Sequence, residues 1–380
     1  MAADSPHQVI KADSVGAQIG PMLSESAHWR ITQTYRHCFY CLTDTGNVIC
    51  IGDAHIDKGP FTIICADSDG TAVAALSENR EVRSCDGTML FGDQASLDTA
   101  NATPWLADFD TCAGPGGTAL DTVLATLVAA AATTAPQQSF GALIPAIFVP
   151  QPRAEKRSAL TIALHRRLLQ VVDAIRCEDA FDDPKRLTSL LSPLIGLGYG
   201  LTPSGDDFCA GWILSLVATG KTRQATALAT GLLDAAGKRT TAISLAFFRA
   251  LAESRLSEGQ TRLLHCCAAG QTADLGDALY GVYHHGSTSG WDMLAGFAFG
   301  IGLSLGKHRF TGLAGSAGSC IAKARLPGES GPKGCGQAMD GLSAGLGGQP
   351  IRPQRSNWRQ DWPALPTRAP IFIVRCHVPS

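Results

Sequence analysis

Two stretches of this chain combine hydroxyls, carboxylates and glycines in a way that could hold an anion: GLGYGLTPSGDDFCAG at 196–211 and HHGSTSGWDMLAG at 284–296. Their central parts share the pattern S-G-x-D-x-x-A-G, with Ser204 matching Ser289, Asp207 matching Asp292 and Gly211 matching Gly296. In each, the Ser is placed to cap the first turn of a helix while the Asp returns a carboxylate to the free N–H groups, at the positive end of the helix dipole. Thr202, with Pro203 at the first helical position, is a rival cap for the first copy. The residues that follow, FCAGWILSLV and MLAGFAFGIGL, are apolar almost all round, so both helices belong in the middle of a helical domain. Gly211 and Gly296 each cost about 1 kcal/mol against Ala inside a helix, which implies close helix contact there. Two buried helices that cross near their starts bring the hydroxyls of Thr202, Ser204, Ser287, Thr288 and Ser289 to one place, where a carboxylate or phosphate would be favoured.

Capping boxes and glycine contacts also occur with no ligand, so what exceeds capping is the more informative part. The glycines at 196, 198 and 200 suit a backbone that approaches a ligand closely, and Asp206 is a second acid that could take a proton or hold a metal. No cofactor is fixed by the sequence; a divalent metal such as Mg²⁺ is the one that Asp206 suggests. His284 and His285 end the preceding helix beside this place, where a histidine pair either satisfies the helix dipole or meets substrate and moves a proton. GKRTTAIS at 237–244 is another helix start, an ordinary cap or a source of Arg239, Thr240 and Thr241 for the same pocket. Asp206, His284 and His285 are therefore the candidate catalytic groups. Gly198, Gly200, Thr202, Ser204, Asp207, Arg239, Thr240, Thr241, Ser287, Ser289 and Asp292 are the candidate substrate-binding ones. The loop has no G-x-x-x-x-G-K-[ST] lysine and no G-x-G-x-x-G after a strand, H-E-x-x-H does not occur, and the one G-x-S-x-G, GLSAG at 341–345, lies in the Gly-rich segment after 308. Cys38 and Cys41 form one Cys-x-x-Cys without a second pair, which reads as buried thiols in a strand.

The elements that must position these groups fall into an α+β order, a β-rich domain followed by a mainly α-helical one. Over 8–112, ITQTYRHCFYCLTD, NVICIGD, FTIICADSDG and TAVAAL are short strand-like runs cut by turn signals. A Gly-Pro-Gly hinge near 113 opens the second domain, 113–308, with an Ala-rich helix that Pro136 ends. Apolar periodicity then predicts helices over roughly 154–176, 184–194, 205–219, 222–236, 240–254, 258–282 and 290–306. The segment 309–380 is crowded with Gly and Pro and reads as a disordered low-complexity tail, or as the product of a shifted reading frame.

The chain has 380 residues, 45% hydrophobic and 17% charged, with 31 Lys+Arg against 33 Asp+Glu. That supports a sizeable core, and the absence of a basic patch argues against a nucleic-acid or membrane-surface partner. No apolar run reaches the ~18 residues of a membrane span, no secretory signal is visible, and thirteen irregularly spaced cysteines suit a reducing compartment, so a cytoplasmic protein is expected.

At GLGYGLTPSGDDFCAG, RTTAIS and HHGSTSGWDMLAGFAFG, and more weakly at DKGPFTI (57–63), the sequence resembles the AllH family over about residues 25–306. The resemblance implies a subunit of an oxamate carbamoyltransferase of allantoin-derived purine nitrogen breakdown, partnered by FdrA-type and AllG-type subunits. That complex interconverts oxalurate plus phosphate with oxamate plus carbamoyl phosphate, and these small anionic substrates agree with the independent reading of the helix starts. The resemblance carries no catalytic residue across. A non-catalytic scaffold or regulatory subunit that binds a carboxylate or phosphate is the alternative, and a stand-alone kinase or ligase is weaker for want of a nucleotide loop.

Overall fold

A computed structural model describes residues 7–306 apart from 25, 68–69, 80, 113–116, 146–157, 271–272 and 285. The hinge near 113, His285 and the segment from 309 onward therefore lie outside the described residues. The β-then-α order is as expected, and the β-rich part closes into a barrel. Its strands are β1 (Gln8–Gly16), β2 (Ala27–Thr34), β3 (Cys38–Leu42), β4 (Val48–Gly52), β5 (Thr62–Cys65), β6 (Val82–Cys85), β7 (Thr88–Phe91), β8 (Ala95–Asp98) and β9 (Thr103–Trp105). They run in the order β5-β4-β3-β2-β6-β7-β8-β1-β9, and closure comes from β1 pairing also with β5. Length makes this possible. The first half of β1, Gln8–Lys11, lies parallel to β8, while its second half lies parallel to β9 on one side and antiparallel to β5 on the other.

The interior is filled by alternate residues of the strands, among them Phe39, Ile49, Ile51, Ile63, Met89, Phe91 and Leu97, and Phe39 meets Phe91 edge to face at 6.1 Å. All five residues of β4 are buried because both its faces are covered. Ile49 and Ile51 point into the barrel, whereas Val48 and Cys50 pack with Phe61 against Ile243 and Ala246 of the helical part. This is why VICIG reads as a continuous apolar run rather than an alternating one.

Two short helices lie within the β-rich part, α1 (Ile19–Ser24) and α2 (Thr71–Ser77). The second corrects the strand-like reading of TAVAAL. Val73 and Leu76 are buried at helical spacing, alanines favour the helix, and the Asp67 carboxylate accepts the N–H of Ala72 at 2.7 Å. Among the described residues the cysteines are free, and Cys41 is fully buried as a small hydrophobe.

The helical part comprises α3 (Phe109–Cys112), α4 (Gly117–Thr134), α5 (Ala159–Cys177), α6 (Pro184–Leu191), α7 (Ser204–Ala218), α8 (Thr222–Ala236), α9 (Ala242–Ala252), α10 (Glu258–Ala269), α11 (Leu275–Tyr283) and α12 (Ser289–Ser304). The single helix expected over 258–282 is two. Ser257 and Gln260 form a capping box that starts α10, and Gly270 in the left-handed region (φ 65°) ends it. No described helix is long and apolar enough to cross a membrane.

Helices α7 and α12 are the centre of this part, as their uniform apolarity implies. Phe208, Trp212, Ile213, Leu214, Leu216 and Val217 of α7 are fully buried, each contributing about 2 kcal/mol of transfer free energy before ordering entropy is subtracted. The two parts of the molecule meet at DKGPFTI. Asp57 accepts the N–H of Gly259 at 2.7 Å and faces Arg262, while the Trp105 indole donates to the Leu256 carbonyl at 2.8 Å.

Candidate functional site

The repeated motif becomes a pair of helices in reciprocal contact. A Cβ built on Gly211 would lie 1.8 Å from the carbonyl oxygen of Met293, and one on Gly296 would lie 1.9 Å from that of Phe208. Met293 and Phe208 are themselves equivalent positions of the two motifs, so the crossing has local pseudo-twofold symmetry. Close approach of the backbones is therefore what both glycines serve, and it places the two helix starts side by side.

The capping reading needs correction. Ser204 and Ser289 are the first helical residues, the caps are Pro203 and Thr288, and neither cap position accepts a hydrogen bond through its side chain. The cause is tertiary. The Ser hydroxyls turn away from their own helices: Ser204 favours the ionised form of Asp292 and Ser289 that of Asp207, so each Ser serves the Asp of the other copy. The Ser289 hydroxyl also lies 2.7 Å from that of Thr202. Asp292 accepts the N–H of Phe140 at 2.6 Å across the packing interface. The second oxygen of each Asp, Oδ2, is buried without a hydrogen-bond partner.

Burial dominates the electrostatics. It lifts the Asp292 carboxyl from 3.8 to about 6, against the pull of the Phe140 N–H and the Ser204 and Thr288 hydroxyls. Asp207 is pushed well above the ordinary carboxylate range, first by burial and then by the nearby charge of Asp292. Both carboxyls therefore hold a proton more tightly than an exposed carboxylate does. A neutral carboxylic acid in a dry setting is a hydrogen-bond donor, so the pair can present a donor where an ionised carboxylate would repel an anion.

Asp206 points the other way. Its Oδ1 accepts the N–H of Gly196 at 2.8 Å and its Oδ2 accepts the Thr240 hydroxyl, so both oxygens tie the glycine loop to the start of α9. Burial raises its carboxyl, and the Thr240 and Gly196 hydrogen bonds oppose that rise. Thr241 caps α9, accepting from the Ser244 N–H at 3.0 Å, and its own hydroxyl donates to the Leu201 carbonyl. Arg239 is exposed, and its guanidinium donates to the Ser192 carbonyl at 2.6 Å.

The loop glycines divide into two kinds. Gly196 (φ +76°) backs onto the Arg239 carbonyl, where a Cβ would come within 2.0 Å, and Gly198 backs onto the Ser204 N–H. Gly200 (φ +98°) has nothing within 4 Å and lies exposed beside Tyr199, itself 74% exposed. At α7 the N–H of Gly205 is already taken by the Leu197 carbonyl at 2.8 Å, so that helix start offers less to an anion than its sequence suggests.

Between α7 and α9 a cavity lined by Thr202, Asp206, Asp207, Ser244 and Met293 has a volume of about 10 Å³, room for one water. Gly200, Ser287 and His284 are exposed. The His284 ring stacks on Tyr280 at 3.6 Å, and Tyr283 stacks on Trp291 at 4.8 Å. Of the expected groups, the structure brings Thr202, Ser204, Asp207, Ser289 and Asp292 to one crossing, with Asp206, Thr240 and Thr241 at its α9 side.

A cluster that the sequence reading missed lies in the β-rich part, where His37, Asp53 and His55 place ligand-type atoms within 4.8 Å of one another. His37 and Asp53 are separated by two strands, so no local pattern signals the juxtaposition.

No solved structure matches the chain. A family model matches residues 194–301, which is well under half of the chain but spans the glycine loop, RTTAIS and the second motif; DKGPFTI lies outside it. The family is described as oxamate carbamoyltransferase subunit AllH, and it is this AllH family that the segment carrying both helix starts resembles.

Proposed function

We propose that this chain is a subunit of a carbamoyltransferase that interconverts oxalurate plus phosphate with oxamate plus carbamoyl phosphate in the breakdown of allantoin-derived purine nitrogen. FdrA-type and AllG-type subunits complete the assembly in this reading. One observation carries it: the residues that match the AllH family are those that fold into the exposed glycine loop, the helix crossing and the buried carboxyl pair. In the reaction a phosphate oxygen bonds to the carbamoyl carbon, the bond from that carbon to the oxamate nitrogen breaks, and the nitrogen takes up a proton. Such a step needs positioning and charge stabilisation more than a covalent nucleophile.

In this proposal Gly198, Gly200, Thr202, Ser204, Ser287 and Ser289 border the place of the anionic substrate, with Asp207 behind the Thr202–Ser289 hydroxyl pair. Asp292 holds the crossing, and Arg239, Thr240 and Thr241 hold the loop against α9. Asp206, with His284 or His285, supplies the proton transfer or a divalent cation site.

A regulatory or scaffold reading also has a specific observation behind it, since both Asp206 oxygens are engaged inside the fold. Carbamoyl phosphate formation from oxalurate, measured with the chain alone and with its proposed partners, separates the two. Activity that appears only with all subunits present is expected. Ser289→Ala and Thr202→Val should each lower it about 10-fold or more, the usual worth of a hydrogen bond to a charged group. Gly200→Ala should lower activity while leaving thermal stability within about 1–2 kcal/mol, because its Cβ meets no neighbour and only the backbone conformation is strained. Full activity in Asp206→Asn, His284→Ala and Ser289→Ala alike would leave the chemistry to a partner and favour the regulatory reading.

A further inference from the structure

The barrel carries an arrangement that the carbamoyl-transfer reading leaves unused. His37 precedes β3, Asp53 follows β4 and His55 lies in the next turn, so pairing of Cys38 with Gly52 at the open end of this hairpin gathers the three side chains. Asp53 is wholly buried, with one oxygen 2.8 Å from Nδ1 of His37 and the other 3.1 Å from Nδ1 of His55. The two rings face each other with centroids 4.4 Å apart. The backbone contributes too, since the His55 N–H donates to Asp53 at 2.8 Å and the Asp53 N–H donates to the His37 carbonyl.

From this geometry we infer that His37, Asp53 and His55 form a binding site for a divalent first-row transition metal, the two Nδ1 atoms and the Asp53 carboxylate being its ligands. Donor type fits, because two imidazoles and one carboxylate are the set used by open zinc and non-haem iron sites. Spacing fits as well. A cation with bonds of about 2.0–2.1 Å separates adjacent ligands by roughly 2.9–3.3 Å, close to the two nitrogen–oxygen distances present. An ordinary ion pair explains one histidine on this carboxylate. A second ring set at 4.4 Å from the first and tilted by 36° is not needed for that. The side chains of His37 and His55 are 34% and 57% exposed, which gives a cation an entry path and leaves its remaining positions open to water or to an anion.

Zn²⁺ titration of the full chain, stripped with a chelator beforehand, tests the site. His37→Gln and His55→Gln alter partly exposed side chains and should keep the wild-type circular dichroism spectrum. The wild type is expected to bind one more equivalent of Zn²⁺ than either variant, or to bind it at least ten times more tightly. With Co²⁺ as a second probe, the wild type should give an absorption spectrum without a thiolate charge-transfer band, which separates histidine ligation from capture by cysteines. Equal Zn²⁺ binding by wild type and both variants, no binding at all, or a thiolate band that survives in His55→Gln overturns the site. Neither readout depends on carbamoyl transfer, so the site stands or falls independently of the proposed function.

Discussion

Gly211→Ala and Gly296→Ala are each expected to destabilise the protein by at least about 3 kcal/mol, or to prevent folding. A methyl at either position would lie under 2 Å from a carbonyl of the opposite helix, and backbone cannot swing aside as a side-chain tip can. Relief requires α7 and α12 to separate, which opens voids around Phe208, Trp212 and Phe297, all buried in the same core. The two changes strain one contact, so their effects should not add in the double variant. Gly276→Ala and Gly281→Ala make the control. Each is a helical glycine with nothing within 4 Å of the added Cβ, and alanine there should be neutral or stabilising by up to about 1 kcal/mol. Urea unfolding midpoints decide the matter: if Gly296→Ala unfolded where the wild type does, the helices could not cross as described.

Asp292→Asn should convert a pH-dependent stability into a flatter one. Folding raises the Asp292 carboxyl from 3.8 to about 6, so its proton is bound more tightly in the folded state than in the unfolded state. The associated stability is complete below the unfolded value and is lost as pH rises through about 6, a displacement equivalent to about 3 kcal/mol. An asparagine stays neutral throughout and can still accept the Phe140 N–H. The variant should therefore match the wild type near pH 4 and exceed its stability by up to about 3 kcal/mol at pH 8. Asp207 is raised in the same direction, so Asp207→Asn should act with the same sign. Chemical unfolding at the two pH values tests both, and a wild-type stability that rises relative to Asp292→Asn between pH 5 and pH 8 would contradict the assigned burial cost.

The residues explain how far reading alone could go. The all-round apolarity of FCAGWILSLV and MLAGFAFGIGL, together with Gly211 and Gly296, was enough to set two buried helices across each other, because a glycine that weakens a helix must be repaid by close packing. The same pattern misled at the serines. Spacing describes a capping box, yet Ser204 and Ser289 serve the Asp of the opposite helix, and nothing within eight residues can encode a partner 82 or 88 positions away. Asp206 reads as a spare acid for the same reason; its partners are Gly196 at the head of the same loop and Thr240 from another segment.

The chain by itself determined a β-rich part followed by helices, the two motif helices at the centre, and the loop of glycines before Thr202, since side-chain period and turn chemistry are local properties. Tertiary structure alone decided the barrel's closure through β1, the exchange of serine and aspartate between α7 and α12, and the meeting of His37, Asp53 and His55. These depend on which distant segments become neighbours. That choice is made by the burial of whole elements, and periodicity can mark the face an element buries without naming what covers it.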